Sequence, residues 1–382
     1  MTTSERAADQ RQRWVLQFCH GYDGPFLDCA RQYAALFADT GYKVCTVYLT
    51  GKPSEIVRLG SASDEVIFFD YTSADVRGLK LAAIRDMRRL VATRNFKLCI
   101  AHRGKPIYVA LLGSTLPVIG VHHAFGDYQR FSRRLFASLF KARLWLLGVS
   151  DAVRDDIRAS LPGWDASRIS TLYNRLDIEA IQAQLHDRDF AREVLKLPAG
   201  AWVVGNVGRL HPDKDQATLI RGFAQALSGL PAGSLLAIMG SGRLEEALKE
   251  LAAELGIEQQ VRFLGQVANG RRYLRAFDCF ALTSDHEPFG MVLVEAMAAG
   301  LPLICTDCGG GREVVDGVGE LFPLGDTDGL ALALQRVARL DGIARAACAA
   351  RMTQRLQEHF SDQAAFKAFW SLPWPVLMRL RD

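Results

Sequence analysis

Short apolar runs of strand type alternate with helix-type segments along this 382-residue chain, and the alternation starts twice. The first half has strand-type runs at residues 14–19, 43–49, 66–69, 98–101, 118–121, 144–149 and 169–173. The second half has them at residues 202–207, 235–239, 261–264, 279–283 and 303–305. Buried strands separated by helices are typical of parallel sheets, so the pattern predicts an α/β fold with two Rossmann-like domains in tandem.

Helix-type segments fill the gaps between these runs. They are clearest at residues 26–38, 79–92, 341–359 and 364–370, the last two before Pro373 and Pro375. A polar connection around residues 177–199 separates the two halves. A chain of this length suits two domains rather than one hydrophobic core. Ligands of such sheets bind at the carboxyl ends of the strands, where we therefore expect the functional residues.

The composition is that of a soluble globular protein, with 49% hydrophobic and 23% charged residues. No apolar stretch is long enough to span a membrane, and residues 1–13 lack the apolar core of a signal peptide. We therefore expect a cytoplasmic protein with reduced cysteines. Cys305 and Cys308 form a C-x-x-C pair without a second pair or a histidine at zinc-finger spacing, so we expect no metal site.

The formal net charge of +4 conceals an asymmetry between the two halves. The first 175 residues hold 25 Lys plus Arg against 16 Asp plus Glu, and the remainder holds 21 against 26. The first half is therefore basic, at +9, and the second mildly acidic, at −5. A basic half indicates an anionic partner, either phosphorylated or membrane-bound.

The segment at residues 285–300 combines two carboxylates with a glycine turn and a predicted helix at residues 291–299. Glu287 precedes this helix and Glu295 lies on it. Backbone N–H groups at a helix start lack partners and favour phosphate. The residues that would supply them are Phe289, Gly290, Met291 and Val292. Alone on an apolar helix, Glu295 either bonds to a neighbouring backbone group or contacts a ligand.

Two cations follow the first strand of the second half. Arg209 and Lys214 lie just beyond a strand that ends in a glycine turn, where a diphosphate could bind. Arg grips phosphate with two parallel hydrogen bonds, and Lys supplies a compact charge. Taken alone, such a pair is more often part of a solvated surface than of a binding site.

The carboxylate segment resembles the sugar-nucleotide motif of the retaining glycosyltransferases of family 4, which have the GT-B fold. That motif is a Glu, seven residues and a second Glu, with Phe-Gly after the first and Glu-Ala-Met-Ala around the second. The resemblance continues through Gly300-Leu301-Pro302 and Gly309-Gly310-Gly311-Arg312-Glu313. It implies two Rossmann-like domains facing a central cleft, with a C-terminal helix that crosses back to the first domain. The implied divisions are 1–175 for the acceptor, 176–360 for the nucleotide sugar and 361–382 for the returning helix.

The resemblance also implies roles in the second domain. Glu287 would contact the donor sugar and Glu295 the ribose hydroxyls. Arg209 and Lys214 would neutralise the donor diphosphate in place of a metal ion, in line with the family's Gly-Arg-Leu-x-x-x-Lys element. Gly240, in Gly240-Ser241-Gly242, matches a loop near the nucleotide. No cofactor is implied beyond the nucleotide diphosphate sugar, which is a substrate.

In the first domain, the resemblance points to a histidine after the strand at residues 118–121. His122 is the better match by position and His123 the second, and either could instead be structural. Asp127 could orient one of the two imidazoles. The loop at residues 20–25 corresponds to the acceptor-side loop, in which Gly21 and Asp23 would contact the acceptor, although it departs from the common Gly-Gly-x-Glu form.

The sequence departs from the family's pattern at a second position, and the character of one further segment is ambiguous. Arg175 follows Asn174 where relatives usually have Gly, which would strain the backbone if the turn needs a positive φ. Residues 128–147 interleave cations with apolar residues, typical either of a helix on an anionic membrane or of a packed helix with a solvated face. We expect no nucleic-acid partner, because no recognised binding motif is present.

The leading functional hypothesis is a retaining, metal-independent hexosyl- or heptosyltransferase that acts on a glycan or lipid-linked acceptor. A phosphorylated lipopolysaccharide core would suit the basic first half, with peripheral contact at the cytoplasmic face of the inner membrane. The alternative is a catalytically inactive sugar-nucleotide-binding scaffold of the same fold. A dinucleotide-dependent oxidoreductase is disfavoured, because Gly-x-Gly-x-x-Gly is missing after the first strand.

Overall fold

A computed structural model describes residues 12–381, and these residues form two units. The first unit comprises the described residues up to Asn174 together with those from Asp362 onward, and the second comprises Arg175–Ser361. Residues 1–11, which carry most of the segment used to argue against a signal peptide, lie outside the described residues. Among the described residues, no helix is both long enough and apolar enough to cross a membrane.

The first unit contains a seven-stranded parallel sheet with the order β3-β2-β1-β4-β5-β6-β7. Its strands are β1 Arg13–Cys19, β2 Tyr42–Thr50, β3 Glu65–Tyr71, β4 Phe96–His102, β5 Val118–His122, β6 Leu144–Gly148 and β7 Ile169–Thr171. Its helices are Phe26–Ala34, Glu55–Gly60, Leu81–Val91, Gly104–Gly113, Phe131–Leu139, Asp151–Ser160, Asp362–Ser371 and Pro375–Arg381. The strand order reverses beside β1, which places a topological switch point between β1 and β4.

The C-terminal helices pack onto this first unit. The indole Nε1 of Trp370 donates to the carbonyl of Leu36 at 2.8 Å, and that of Trp374 donates to the carbonyl of Ser167 at 2.7 Å. The last helix, Pro375–Arg381, was not predicted, because we expected helical structure to end before the prolines. Proline at the first helical position loses no hydrogen bond, since the N–H it lacks has no intrahelical acceptor there.

The second unit contains a six-stranded parallel sheet with the order β10-β9-β8-β11-β12-β13. Its strands are β8 Val203–Val207, β9 Leu235–Met239, β10 Val261–Gly265, β11 Cys279–Leu282, β12 Leu303–Thr306 and β13 Glu320–Phe322. Its helices are Ile178–Gln184, Arg188–Val194, Gln216–Ala226, Glu245–Glu254, Met291–Ala298, Gly309–Val315, Thr327–Ala338 and Gly342–His359. The prediction missed β13, which has three residues and only one fully buried side chain.

The structure corrects the prediction of a polar connection at residues 177–199, because this segment contains two short helices. Asp177 caps the first by accepting from the Ala180 amide at 3.0 Å, and Asp187 caps the second by accepting from the Phe190 amide at 2.9 Å. Arg175, at the turn before them, is fully buried and is not among the described residues with positive φ. The backbone strain considered for this position therefore does not arise.

The ambiguous segment at residues 128–147 forms a helix only over Phe131–Leu139, and β6 starts at Leu144. Phe136 packs inward and stacks on Tyr108, with 4.9 Å between ring centroids. Three apolar side chains spaced four residues apart stay exposed: Phe131, Leu135 and Leu139. A packed helix with a merely polar outer face therefore does not describe this element.

Candidate functional site

Three residues that we predicted from separate motifs line one cavity in the second unit. The cavity has a volume of about 560 Å³ and lies at the carboxyl ends of β8 and β9. Arg209, Gly240 and Glu295 contribute to its wall, together with Asn269 and Arg271. The structure therefore places a cation, a close backbone approach and a carboxylate around a single volume, as the binding of a nucleotide requires.

Backbone contacts hold the loops of this cavity together. The Gly208 amide donates to the carbonyl of Met239 at 3.0 Å, and the Gly240 amide donates to that of Gly265 at 2.8 Å. Gly240 has φ 141°, and a Cβ at this position would lie 1.9 Å from the carbonyl oxygen of Gly208. Only glycine fits both the backbone conformation and the spacing, so the loops after β8, β9 and β10 approach closely.

Lys214 and Glu287 form an ion pair with 2.8 Å between Nζ and Oε2, and their side chains are only 17% and 11% exposed. Thr283 fixes Lys214 from behind, since its hydroxyl donates to the carbonyl of Lys214 at 2.9 Å. The carbonyl of Glu287 accepts from the Gly310 amide at 2.8 Å. The pair compensates two charges that would be costly to bury separately. Neither residue lines the cavity, but the Lys214 side chain lies beside the lining residue Gly208, 3.9 Å from a Cβ built there.

Arg209 is the accessible cation of this region, with 73% of its side chain exposed and 3.6 Å between its guanidinium and Asp213. Asp213 also bonds to the His211 ring. Burial would raise the pKa of Asp213, but the His211 hydrogen bond and the charges of Lys214 and Arg209 hold that pKa below its ordinary value. Arg209 is thus held by one weak contact to a stable carboxylate and can turn toward a bound anion.

The helix Met291–Ala298 starts at Gly290, which has φ 93° and provides no side-chain cap. The Leu293 amide is the first to bond back, to the carbonyl of Gly290 at 2.9 Å. The N–H groups of Met291 and Val292 therefore have no intrahelical acceptor and can serve an anion. Phe289 is buried and does not line the cavity, because its ring packs against Phe360 with 5.7 Å between centroids.

In the first unit, His122 ends β5 and is buried. Its Nδ1 lies 2.7 Å from Oδ2 of Asp127, and its Nε2 lies 3.2 Å from the hydroxyl of Tyr128. Asp127 thus orients His122 rather than His123. Burial alone would raise the pKa of Asp127, but the hydrogen bond and charge of His122, with Arg133 and Arg103 nearby, lower it. An ionised Asp127 accepts from Nδ1–H and leaves Nε2 as the acceptor nitrogen.

His123 contacts a residue that the sequence did not reveal. Its Nε2 lies 3.2 Å from Nδ1 of His102, which ends the neighbouring strand β4, and the two rings stack. Burial, helped by His122 and Arg103, lowers the pKa of His123 to about 3, so the ring is neutral at physiological pH. The available signal was the position of His102 at the carboxyl end of the strand beside β5.

His122 and Asp127 line a second cavity, of about 600 Å³, that lies within the first unit. Lys80, Arg103 and Lys105 also line it, although the sequence argument had not selected them. Gly21 and Asp23 do not contribute to this wall. Gly21 packs against Thr50, whose hydroxyl oxygen would lie 3.0 Å from an added Cβ, and Asp23 is exposed on the following turn.

Among the described residues, no group of three or more His, Cys, Asp or Glu side chains is placed to hold a metal ion. Cys305 is buried in β12, and burial raises the pKa of its thiol. Cys308 donates its S–H to the carbonyl of Ser284, with 3.0 Å between sulfur and oxygen. Burial also raises the pKa of Cys308, so neither thiol has the lowered pKa typical of a reactive cysteine.

Comparisons with known proteins connect these features. Residues 187–355 match the family model of glycosyl transferases group 1. The chain is 33% identical over 212 residues to the lipopolysaccharide core biosynthesis glycosyltransferase LpsD of Rhizobium meliloti, covering 54% of this chain and 60% of LpsD. It is 38% identical over 203 residues to the D-inositol 3-phosphate glycosyltransferase of Rhodococcus opacus, covering 49% and 45%. The match thus spans about half the length of these relatives.

The fold is similar to that of Anabaena Alr3699/HepE in complex with UDP. The TM-score is 0.74 with 20% sequence identity, over 94% of this chain and 98% of that one. The two parallel sheets and their helices therefore have the arrangement of GT-B proteins. Residues 187–355, which match the glycosyl transferases group 1 model, include every residue that lines the second-unit cavity.

Proposed function

We propose that this chain is a retaining glycosyltransferase that moves a sugar from a nucleotide diphosphate sugar to a hydroxyl of a glycan or lipid-linked acceptor. The observation that carries the proposal is the second-unit cavity, where Arg209, Gly240 and Glu295 meet. The name of LpsD supports a place in lipopolysaccharide core or other cell-surface polysaccharide synthesis. The UDP bound by Alr3699/HepE supports a nucleotide donor.

The cavity suggests how the donor binds. We propose that Glu295, in the cavity wall, accepts hydrogen bonds from the ribose hydroxyls, and that the first-turn amides of Met291 and Val292, which are not part of that wall, donate to the diphosphate. Arg209 turns from Asp213 to the diphosphate, while Lys214 keeps one donor on Glu287 and has two more for phosphate oxygens. These fixed charges stabilise the nucleoside diphosphate leaving group without a metal ion.

The transfer step breaks the bond between the sugar C1 and the donor phosphate oxygen and forms a bond from C1 to the acceptor oxygen on the same face. The acceptor proton passes to the departing phosphate, so the chain needs no separate general base. Glu287, held by Lys214, contacts the donor sugar. His122, with Nδ1 committed to Asp127, offers Nε2 to a sugar hydroxyl by exchanging the Tyr128 contact.

A donor panel tests this proposal. Purified protein is incubated with UDP-, GDP- and ADP-sugars in the presence of EDTA, and NMR of the product gives the anomeric configuration. We expect binding and transfer or slow hydrolysis with one donor class, without inversion. Absence of binding to every donor, an inverted product or a metal requirement would each overturn part of the proposal. Glu287→Ala should abolish transfer and also lower the free energy of unfolding, because it leaves Lys214 without its partner, so circular dichroism must show that the variant is folded. An inactive scaffold would have no transfer to lose.

We also propose peripheral contact with the cytoplasmic face of the inner membrane through the helix Phe131–Leu139. Its exposed apolar stripe of Phe131, Leu135 and Leu139 has Arg130 and Arg134 beside it, which suits an anionic lipid surface. Leu135→Ser/Leu139→Ser should reduce co-sedimentation with vesicles containing anionic lipid. The matched control is Leu324→Ser/Leu332→Ser, which removes two equally exposed leucines from the second unit. Equal loss in both variants would contradict the proposal.

A further inference from the structure

The cavity of the first unit carries an excess of positive charge that the proposed reaction does not yet use. Lys80, Arg103, Lys105 and Arg133 line it, and Asp127 supplies the only carboxylate among the described residues of its wall. Asp127 is already engaged by His122 and by Arg133, whose guanidinium lies 3.1 Å from Oδ1. Arg103 interacts with Asp127 through its charge without forming an ion pair, and Lys80 and Lys105 are left without a compensating carboxylate.

These three cations lie close enough to affect one another and their neighbours. Burial and the charge of Lys105 lower the pKa of Lys80. Burial, then Lys105 and Arg103, lower the pKa of His20 to about 4, so this lining histidine adds no charge at neutral pH. Within the described residues, Lys80, Arg103 and Lys105 form no ion pair. Like charges are held together here with Asp127 as their one lining counter-charge among the described residues, and His122 and Arg133 already engage it, which favours the binding of an anion.

The ammonium of Lys80 and the guanidinium of Arg103 are held in place by neutral groups. Lys80 donates to the carbonyl of Gly78 at 2.6 Å and lies 4.7 Å from the ring centroid of Tyr108. The guanidinium of Arg103 lies 4.9 Å from the ring centroid of Phe26. Contacts of this kind position a cation and leave its charge available to a ligand.

Arg103 has a strained backbone at the point where it borders the cavity. Its φ of 73° and ψ of 165° lie in a region that is almost restricted to glycine. The conformation is fixed on both sides, because the Arg103 amide donates to the carbonyl of Val121 at 2.9 Å and its carbonyl accepts from the Ile107 amide at 3.2 Å. The chain keeps a cationic side chain at a position where glycine would cost less.

This strained residue starts the helix Gly104–Gly113 without a side-chain cap. The first-turn amides of Gly104 and Lys105 therefore have no intrahelical acceptor. A Cβ added at Gly104 would meet no atom within 4 Å, so the Cα of this first residue faces open space. Three cations and an uncapped helix start thus border the same volume, and the cations provide an observation independent of the helix end.

The opposite wall is apolar and is formed in part by Ile107, Phe136 and Leu144. A volume of about 600 Å³ exceeds the size of an inorganic anion and has room for a sugar ring. A phosphate monoester carries close to two negative charges at neutral pH and three acceptor oxygens, which matches Arg103, Lys105 and Lys80. A diester or a carboxylate would leave more of this charge uncompensated.

Building on the proposed function, we propose that this cavity binds a phosphate monoester on the sugar acceptor, with Arg103 and Lys105 as its main ligands. The acceptor would then be recognised by its phosphate group, so that the unphosphorylated sugar is a poor substrate. The positive charge would discriminate between acceptors that differ in this one group.

Calorimetric titration at low ionic strength tests this site without requiring turnover. The probes are glucose 6-phosphate, glucose, inorganic phosphate and UDP, each added to the full chain. We expect glucose 6-phosphate and phosphate to bind and glucose to show no heat. Arg103→Gly/Lys105→Ala should weaken the affinity for glucose 6-phosphate at least tenfold and leave the affinity for UDP unchanged. The matched control, Arg77→Ala/Arg88→Ala, removes two exposed cations outside the cavity and should bind like wild type.

The outcomes separate this inference from the proposed function. Equal binding of glucose and glucose 6-phosphate, or unchanged binding in the double variant, would overturn the phosphate site. Parallel loss of UDP binding would assign the cations to the donor diphosphate instead. Failure of UDP to bind wild type would count against the proposed function alone. Arg103→Gly should also raise the free energy of unfolding, because it relieves the backbone strain. It should weaken the binding of glucose 6-phosphate, because it removes the cation. A loss of stability would contradict the strain argument.

Discussion

The two cavities have nearly equal volumes and are built by different means. Arg209, Arg271 and Glu295 give the second-unit cavity a net charge of about +1 among its lining side chains, and glycine loops shape its wall. The first-unit cavity carries about +3 from four cations and Asp127, and burial lowers the pKa of His20 to about 4, so that ring adds no charge. One site is defined by backbone geometry and the other by side-chain charge, which predicts different responses to mutation.

The largest effect is expected at the buried ion pair of the second unit. Lys214→Met removes a charge that would hold the diphosphate, so kcat for transfer should fall roughly 10²–10³-fold. The same change leaves Glu287 buried and uncompensated, which should cost about 3–5 kcal/mol of unfolding free energy. Steady-state kinetics and urea denaturation measure the two effects.

A double variant separates these two roles of Lys214. Lys214→Met/Glu287→Gln should recover much of the stability and none of the turnover. Lys249→Met is the matched control, because that lysine pairs with Glu245 and Glu246 on the surface and should lose little of either quantity. Unchanged kcat in Lys214→Met would show that the lysine only neutralises Glu287.

The next effect tests whether backbone spacing defines the second cavity. In Gly240→Ala the new Cβ must displace the Gly208 carbonyl, so UDP affinity should fall at least about tenfold, with a stability loss of about 1–3 kcal/mol or more. Gly233→Ala is the matched control, because its φ of 75° is also positive and its Cβ would meet nothing within 4 Å. Equal UDP affinity in the two variants would mean that the close approach does not matter for binding.

A smaller effect should follow the loss of one carboxylate. Glu295→Gln removes the charged acceptor for the ribose hydroxyls, which should weaken UDP by about 1.5–3 kcal/mol. The affinity for 2′,3′-dideoxy-UDP, which lacks those hydroxyls, should not change. Glucose 6-phosphate binding should also be unaffected if the two cavities act separately. A similar loss for both nucleotides would place Glu295 away from the ribose.

The sheets could be predicted because most strands are apolar runs bounded by turn residues. β9 was predicted at its observed bounds, Leu235–Met239, since every one of its five residues is buried. β13 was not predicted, because Glu320 and Leu321 are only partly buried and the strand has no continuous apolar run. The helices after Asp177 and Asp187 were not predicted, because each is seven residues long and therefore too short to show a clear hydrophobic periodicity.

The candidate sites show the same limit. Arg209, Gly240 and Glu295 stand in motifs with fixed local spacing, and the structure brings them to one cavity. Lys80 and Arg103 come from separate connections of the sheet and meet only through the fold. No spacing in the sequence indicates such convergence. A search for cations directly after predicted strands could have selected Arg103, which follows β4.

The smallest effect concerns pH and tests how strongly burial, followed by nearby positive charge, keeps His20 and His123 neutral. The native pKa values of His20 and His123 are lowered to about 4 and about 3, so both rings bind protons more weakly in the folded chain than in the unfolded chain. As pH falls from about 6.5 toward 4, the unfolded chain binds protons on these two histidines that the native chain does not bind. The free energy of unfolding should therefore decrease, by up to about 1.4 kcal/mol per pH unit for each histidine.

Urea denaturation at a series of pH values measures this slope, and substitution assigns it. His20→Gln/His123→Gln should make the dependence shallower between pH 6.5 and 4.5, where most carboxylates stay ionised in both states. Part of the slope remains, because burial also lowers the pKa of His102 and of His359. His286→Gln, at a histidine that is 73% exposed, should leave it unchanged. Glucose 6-phosphate should reduce the loss of unfolding free energy at acid pH, because its negative charge offsets the cations that help burial to keep His20 neutral. This effect should last only while the phosphate keeps two charges. A slope as steep in the double variant as in the wild type would assign the titration to other residues and weaken the electrostatic contrast between the two sites.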